Sequence, residues 1–179
     1  TGEMTEYSVE QVRESKDLQW IDGIYSDALL IEQFNYYGKY QKGFINSVLG
    51  QDGVRLTTEG SNFLAQNDDV YLYTGVTSVT SDDSILGFFF INQRTKEGFF
   101  YNTTGATEAA AQLSAQGKVS DKGWKAAFPI LLNIDGEATY FMALKDNDVV
   151  KSYAMVSVER VQDAVRSEDD ANPDLEACL

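Results

Sequence analysis

The stretch "LGFFFINQRTKEGFFYN", Leu86–Asn102, decides the fold. An apolar block, a polar turn containing glycine and an aromatic block read as two strands of a hairpin. Side chains alternate along a strand, so Phe88 and Phe90 share one face while Phe89 and Ile91 share the other. Both faces are apolar, so both need cover. That is the pattern of a strand in the middle of a sheet with a layer on each side. Phe88, Phe90 and Ile91 are therefore expected in the core, and packing accounts for most of these rings before any binding role does.

Working outward, "VYLYTGVTSVT" from Val70 supplies a preceding strand, with "SDDS" (Ser81–Ser84) as its turn. The three form an antiparallel meander. Downstream, "TTGATEAAAQLSAQG" reads as a helix over Thr104–Gly117, since alanine favours helix and glycine suits the end. Its small side chains allow close approach to a sheet. Phe128–Val161 then reads as three more strands, with Asp135-Gly136 as a hairpin turn and Lys145–Asp148 as the next. "INQRTKEGFFY" and "LNIDGEATYFM" share an order of elements. Hairpins share it in general, so the sequence does not decide whether the two halves repeat.

Upstream, Ser8 and Gln11 form a capping box at the start of a first helix. Ser26–Gly50 reads as two helices with a bend or break near Gly38. Residues 51–69 read as loop, with one extended piece at Val54–Leu56. The fold expected is α+β: an antiparallel sheet of about five to seven strands, in one piece or two halves, under N-terminal helices and the alanine-rich helix. One domain spans 1–166, helical over 8–50 and sheet-rich over 70–161. Residues 167–179 form an acidic tail with five acids and no base.

Composition restricts the chemistry. The 179 residues carry 14 basic and 28 acidic side chains, a net charge of -14. Such a surface repels phosphates, which argues against nucleic acid as a partner. There is no histidine and a single cysteine, Cys178. Histidine-dependent nucleophilic triads and histidine metal sites are excluded from this chain, as is an internal disulfide. Asp82-Asp83, Asp146–Asp148 and Glu168–Asp170 lack the spacing of a calcium loop. No phosphate-binding glycine loop is present. The expectation is no metal and no cofactor. No run of about 20 apolar residues is present, so direct membrane insertion by this segment is not expected. The start at Thr1 suggests a piece of a longer protein.

The densest aromatic segment outside the strands is "FNYYGKY". Consecutive Tyr36 and Tyr37 cannot both face inward on one helix. Trp20, Tyr36, Tyr37 and Tyr40 are thus the candidate ligand-binding residues, because rings with polar tips suit exposed recognition surfaces. The alternative role for all four is packing the helical layer onto the sheet.

"WIDGIYSD", "NYYGKYQKGF", "YTGVTSVTSDDS", "NQRTKEGFFY", "GATEAAAQLSAQGKV" and "FPILLNIDGEATYFMALKD…KSYAMVSVE" together resemble a domain at the C-terminal end of larger membrane-anchored proteins of Gram-positive bacteria. The resemblance spans Trp20–Val161. A looser likeness is to PepSY-type modules. The first likeness implies an extracytoplasmic location, tethered through a segment not in this chain, and it implies no catalytic residues. The function expected is a non-catalytic interaction or structural module with a protein or cell-wall partner. The alternatives are a glycan- or peptide-binding domain using the four rings, and a hydrolase built on two carboxylates.

Overall fold

In the computed structural model, which describes residues 2–79, 84–162 and 164–166, the Leu86–Asn102 stretch forms the hairpin its alternation demands. Ten strands are described: β1 Arg55–Thr57, β2 Asn62–Gln66, β3 Asp69–Ser78, β4 Ser84–Asn92, β5 Gly98–Ala106, β6 Lys125–Ala126, β7 Ile130–Ile134, β8 Glu137–Asp146, β9 Val149–Ser157 and β10 Val165–Arg166. The α-helices are α1 Val9–Glu14, α2 Asp27–Tyr40 and α3 Glu108–Gly117; short helical turns lie at Lys16–Leu18 and Asn46–Gly50, the latter ending at the glycine where the sequence reading ends its second helix. The strands make two antiparallel sheets. The α+β class is as the sequence reading has it, and of the two alternatives left open, one sheet or two halves, the chain takes two. The strand count is higher because short edge strands flank the long hairpins.

The two sheets are built alike. In the first, β3, β4 and β5 form the meander, and the outer edge of β3 is shared by β1 and β2. In the second, β8, β9 and β10 take those places, and the edge of β8 is shared by β6 and β7. The resemblance extends to single bonds. After β1, the Thr58 amide donates to the Gly75 carbonyl; after β6, the Ala127 amide donates to Ala143. The turns Asn67-Asp68 and Asp135-Gly136 both hold two residues at positive φ, as a tight hairpin turn requires. A helix precedes each edge pair, α2 before β1 and α3 before β6. The chain therefore repeats one helix-plus-five-strand plan, which the short shared phrase alone did not decide.

Alternation fixes what each face meets. Leu72, Phe89 and Ile91 face α2, where Leu30 is buried and Phe34 stacks on Phe89 with centroids 4.2 Å apart. Tyr73 and Phe88 face the second sheet, where Phe88 meets Tyr140 edge-on at 5.9 Å. Ala111 and Ala115 of α3 and Val119 just after it join that core, with Met142, Leu144, Ala154 and Val156. Phe88 and Ile91 are buried as expected. Phe90 is not fully so. It packs on Tyr73 and Phe99, and one side of its ring opens into a depression between the sheets that Tyr101 and Leu131 also line.

Three local readings need correction. Helix α2 runs unbroken through Gly38, and the chain turns instead at Gly43, where φ is +88°. Gly38 is a contact residue: α2 lies so close to β1 that a Cβ would land on the Arg55 carbonyl oxygen. Residues 62–66, read as loop, form β2, and α3 starts only after its N-cap Thr107 because Thr103–Ala106 belong to β5. The capping box at Ser8 is present as read. The "SDDS" turn lies largely, and the acidic tail and Cys178 wholly, outside the described residues.

Candidate functional site

Helix α2 carries three of the four candidate rings. Its Ser26 cap fixes the start, and its inward stripe Leu30, Phe34, Gly38 recurs every fourth residue. Asn35 locks the helix to the sheet edge: its amide donates to Thr57 Oγ1 at 3.1 Å and its carbonyl accepts the Thr57 amide at 2.8 Å. With that stripe turned inward, Tyr36, Tyr37 and Tyr40 must face outward. They are 55%, 70% and 37% exposed, and Trp20 is 76% exposed.

The structure divides the four rings among three places. Tyr36 and Tyr40 stack one helical turn apart at 6.0 Å, and Phe44 extends the stack at 6.5 Å. Tyr37 lies on the opposite flank, in a shallow depression with Phe34 and Lys96. Trp20 is in the segment before α2. That segment is held elsewhere: Arg94 pairs with Asp22 at 2.6 Å and with Asp69 at 2.7 Å, and Tyr25 exchanges bonds with Gln93. The Arg94 guanidinium, through its hydrogen bond, holds Asp69 below the usual carboxylate range. A single four-ring site is therefore not what the chain builds; Tyr36 and Tyr40 with Phe44 is.

Beside that stack runs a groove of about 710 Å³. Ile31, Asn35, Tyr36 and Lys39 of α2 form one wall; Val54, Leu56 and Val79 form the other; Ser47 and Gln51 close the end. The lining is mostly apolar. Of its polar groups, Asn35 is committed to Thr57, and the Ser47 hydroxyl donates to the Phe44 carbonyl at 2.6 Å. Glu32 and Gln51 remain to meet a ligand, while the Lys39 ammonium lies over the Tyr40 ring, 5.4 Å from its centroid. Phe44, missed by the sequence reading, continues the spacing of Tyr36 and Tyr40 past the end of α2. That four-residue spacing was the available signal.

A second arrangement concerns acid–base chemistry. Glu108, the first residue of α3, is only 1% exposed. It fits under β3 because residue 75 is glycine; a Cβ there would meet both carboxylate oxygens and the Thr58 hydroxyl oxygen. Oε1 accepts the Gly75 amide at 2.9 Å, and Oε2 has no hydrogen-bond partner. Burial pushes the carboxyl up from its ordinary value, against the opposing pull of its own amide, the Thr58 side chain and the Gly75 amide. Burial also pushes the neighbouring Tyr73 hydroxyl up to about 12, and raises Tyr140 further. Glu108 is the only buried acid among the described residues. A carboxylate hydrolase needs two acids flanking an accessible bond, and Glu108 has neither a facing acid nor an opening.

This group makes stability pH-dependent with a definite sign. An acid whose folded value is raised contributes fully below its unfolded value, near 4.5, and loses that contribution as pH rises through the folded value. Glu108→Gln removes the ionisation. The variant should gain on the wild type as pH rises from about 4 to 8, by roughly 1 kcal/mol, the scale of an unsatisfied buried polar atom. Urea midpoints across that range check it. A gap that stays constant with pH would show that the carboxyl titrates alike in the folded and unfolded chain.

Among the described residues, no three Asp, Glu or Cys side chains gather as a metal cluster, and no helix is long and apolar enough to cross a membrane. Compared with family models, curated proteins and solved structures, the chain matches none.

Proposed function

We propose that this chain is a non-catalytic interaction module that takes an extended peptide segment of a protein partner into the α2 groove. Its setting in this proposal is extracytoplasmic, as part of a membrane-anchored Gram-positive protein, and it rests on the sequence phrases alone. The observation that carries the binding role is an apolar groove of about 710 Å³ whose wall holds Tyr36, the first ring of the exposed Tyr36–Tyr40–Phe44 stack. Groove walls of this size and character suit small ligands and peptide side chains. Exposed aromatic rings in a row supply large contact area at little cost in side-chain freedom.

The choice between peptide and glycan turns on polar groups. A sugar presents hydroxyls on every edge and needs several uncommitted partners; a ring stack alone leaves those hydroxyls unpaired. Here Asn35 and Ser47 are already engaged, while Ile31, Leu56 and Val79 offer apolar surface. Apolar peptide side chains fit that inventory better. Glycan binding along the exposed stack is the second reading, favoured by the near-parallel rings.

The test is retention of the protein on an array of immobilised peptides rich in Leu, Val and Tyr, beside insoluble peptidoglycan. Peptide retention should be lost in Tyr36→Ala, with stability within about 0.5 kcal/mol of wild type, as for an exposed position. Retention on peptidoglycan alone would select the glycan reading. Retention on neither, or retention indifferent to Tyr36→Ala, would remove the groove as the binding site.

A further inference from the structure

The two sheets are not covered alike. The hydrogen bonds that match Gly75 to Ala143 also match Tyr73 to Phe141. The Tyr73 face of the first sheet is packed against the second sheet. The corresponding face of the second sheet, opposite α3, carries Phe141, Ala143, Tyr153 and Met155, and none of these belongs to either buried cluster. Phe141 and Tyr153 are half-buried and stack on each other at 5.3 Å.

One end of this face is basic. Leu144 is wholly buried on the core side, so by alternation Lys145 turns to the Phe141 side. Lys125 is its direct cross-strand partner, so the two share a face, and like charges set opposite each other repel. At the same level β9 inserts an extra residue, Lys151, between Ser152, which pairs with Leu144, and Val150, which pairs with Lys145. Three neighbouring strands, β9, β8 and β6, thus bring three lysines to one end of the sheet. Among the described residues none of the three has an ion pair or a side-chain hydrogen bond, the turn acids Asp146 and Asp148 included. Glu137, the acid on that face of β8, stands at the far end of the strand and pairs with Arg160.

The course of the chain supplies the occupant. β10 runs antiparallel to β9 along the sheet edge, with Val165 opposite Met155 and Arg166 opposite Ala154. It is heading toward Lys151, three residues further along β9. After Arg166 the sequence reads "SEDDANPDLEACL", with five acids and no base. We infer that this acidic C-terminal segment, residues 167–179, is the ligand of the basic face, its carboxylates pairing with Lys125, Lys145 and Lys151 of the same chain. Neighbouring strands lie about 4.8 Å apart, so the three strands span about 10 Å, which three or four extended residues cover. An acidic segment of another molecule has to approach a chain of net charge -14. The tethered segment is already there, and ion pairs that are weak singly hold at the effective concentration of a short tether. The contact is separate from the α2 groove and does not depend on it.

The experiment is zero-length carbodiimide cross-linking of the full chain, with the linked peptides of the monomer fraction identified by mass spectrometry. A carbodiimide joins a carboxylate to an amine only where the two are in contact. Links from Glu168, Asp169 or Asp170 to Lys125, Lys145 or Lys151 are expected, and salt at about 1 M, where the screening length is about 3 Å, should reduce them several-fold. Lys39 and Lys118, exposed elsewhere on the body, are the controls. In the full chain, Glu168→Gln together with Asp169→Asn and Asp170→Asn should raise the acetylation rate of Lys145 relative to Lys39 by about threefold, the scale of an exposed ion pair. Tail links spread evenly over Lys39 and Lys118, links found only between copies in a dimer fraction, or no tail links at all overturn the proposal. So does a Lys145 acetylation rate that the three substitutions leave unchanged.

Discussion

Phe88→Ala should lower the free energy of unfolding by roughly 3–5 kcal/mol, the range for deleting a buried phenylalanine ring. The side chain is wholly buried, and its ring meets Tyr140 edge-on across the two sheets. Its strand neighbours are Gly75 on β3 and Tyr101 on β5. Gly75 has no side chain to move into the space, and the Glu108 carboxylate occupies the notch beside it. The site therefore cannot collapse, and the cavity contribution stays near its upper range. Phe90→Ala is the internal control. That ring is partly exposed at the depression between the sheets, so its removal should cost about half as much. Urea unfolding of the two variants, with unchanged denaturant slope, measures both. Equal losses would mean that Phe88 does not bridge the sheets.

The hairpins were legible because two signals coincide in them. Period-two alternation gives the strand, and residues that accept positive φ, such as Asp135-Gly136, give the turn. Strand β2 had only one of these. "NFLAQ" is short, and its larger ring, Phe63, points to solvent while only Leu64 packs on the core, so its alternation gives little signal. The repeat of the whole plan was illegible for a related reason. Equivalent positions carry different residues, such as Leu72 in β3 and Tyr140 in β8, and only pairing registers reveal the match. The site was legible in part. Adjacent tyrosines on a helix must diverge, and Tyr36 and Tyr37 do. Trp20 was grouped with them by nearness in sequence, whereas Arg94, distant in sequence, decides where that segment goes. Glu108 read as an ordinary acid at a helix start, favoured there by the helix dipole. Its burial depends on Gly75, which nothing near it in the chain discloses.

Gly38→Ala separates two accounts of α2 by sign. If the glycine is a loosened point in an unsupported helix, alanine should stabilise the protein by roughly 1 kcal/mol through its better helix propensity. If the glycine is a contact, the new methyl meets the Arg55 backbone carbonyl, which is not the movable end of a side chain. Arg55 is paired with Ser78 in β1, and Asn35 holds the adjacent Thr57 at both its amide and its hydroxyl. Neither partner can give way without breaking bonds. Overpacking of this kind costs about 3 kcal/mol at the upper end of its common range. The net expectation is a loss of about 2 kcal/mol once the propensity gain is set against it. Because α2 and β1 also form facing walls of the groove, forcing them apart should weaken peptide retention even where the variant remains folded. Tyr36→Ala should do the reverse, losing retention at unchanged stability. A Gly38→Ala variant more stable than wild type would place α2 farther from β1 than the Arg55 contact requires, and the groove between them would have to be redrawn.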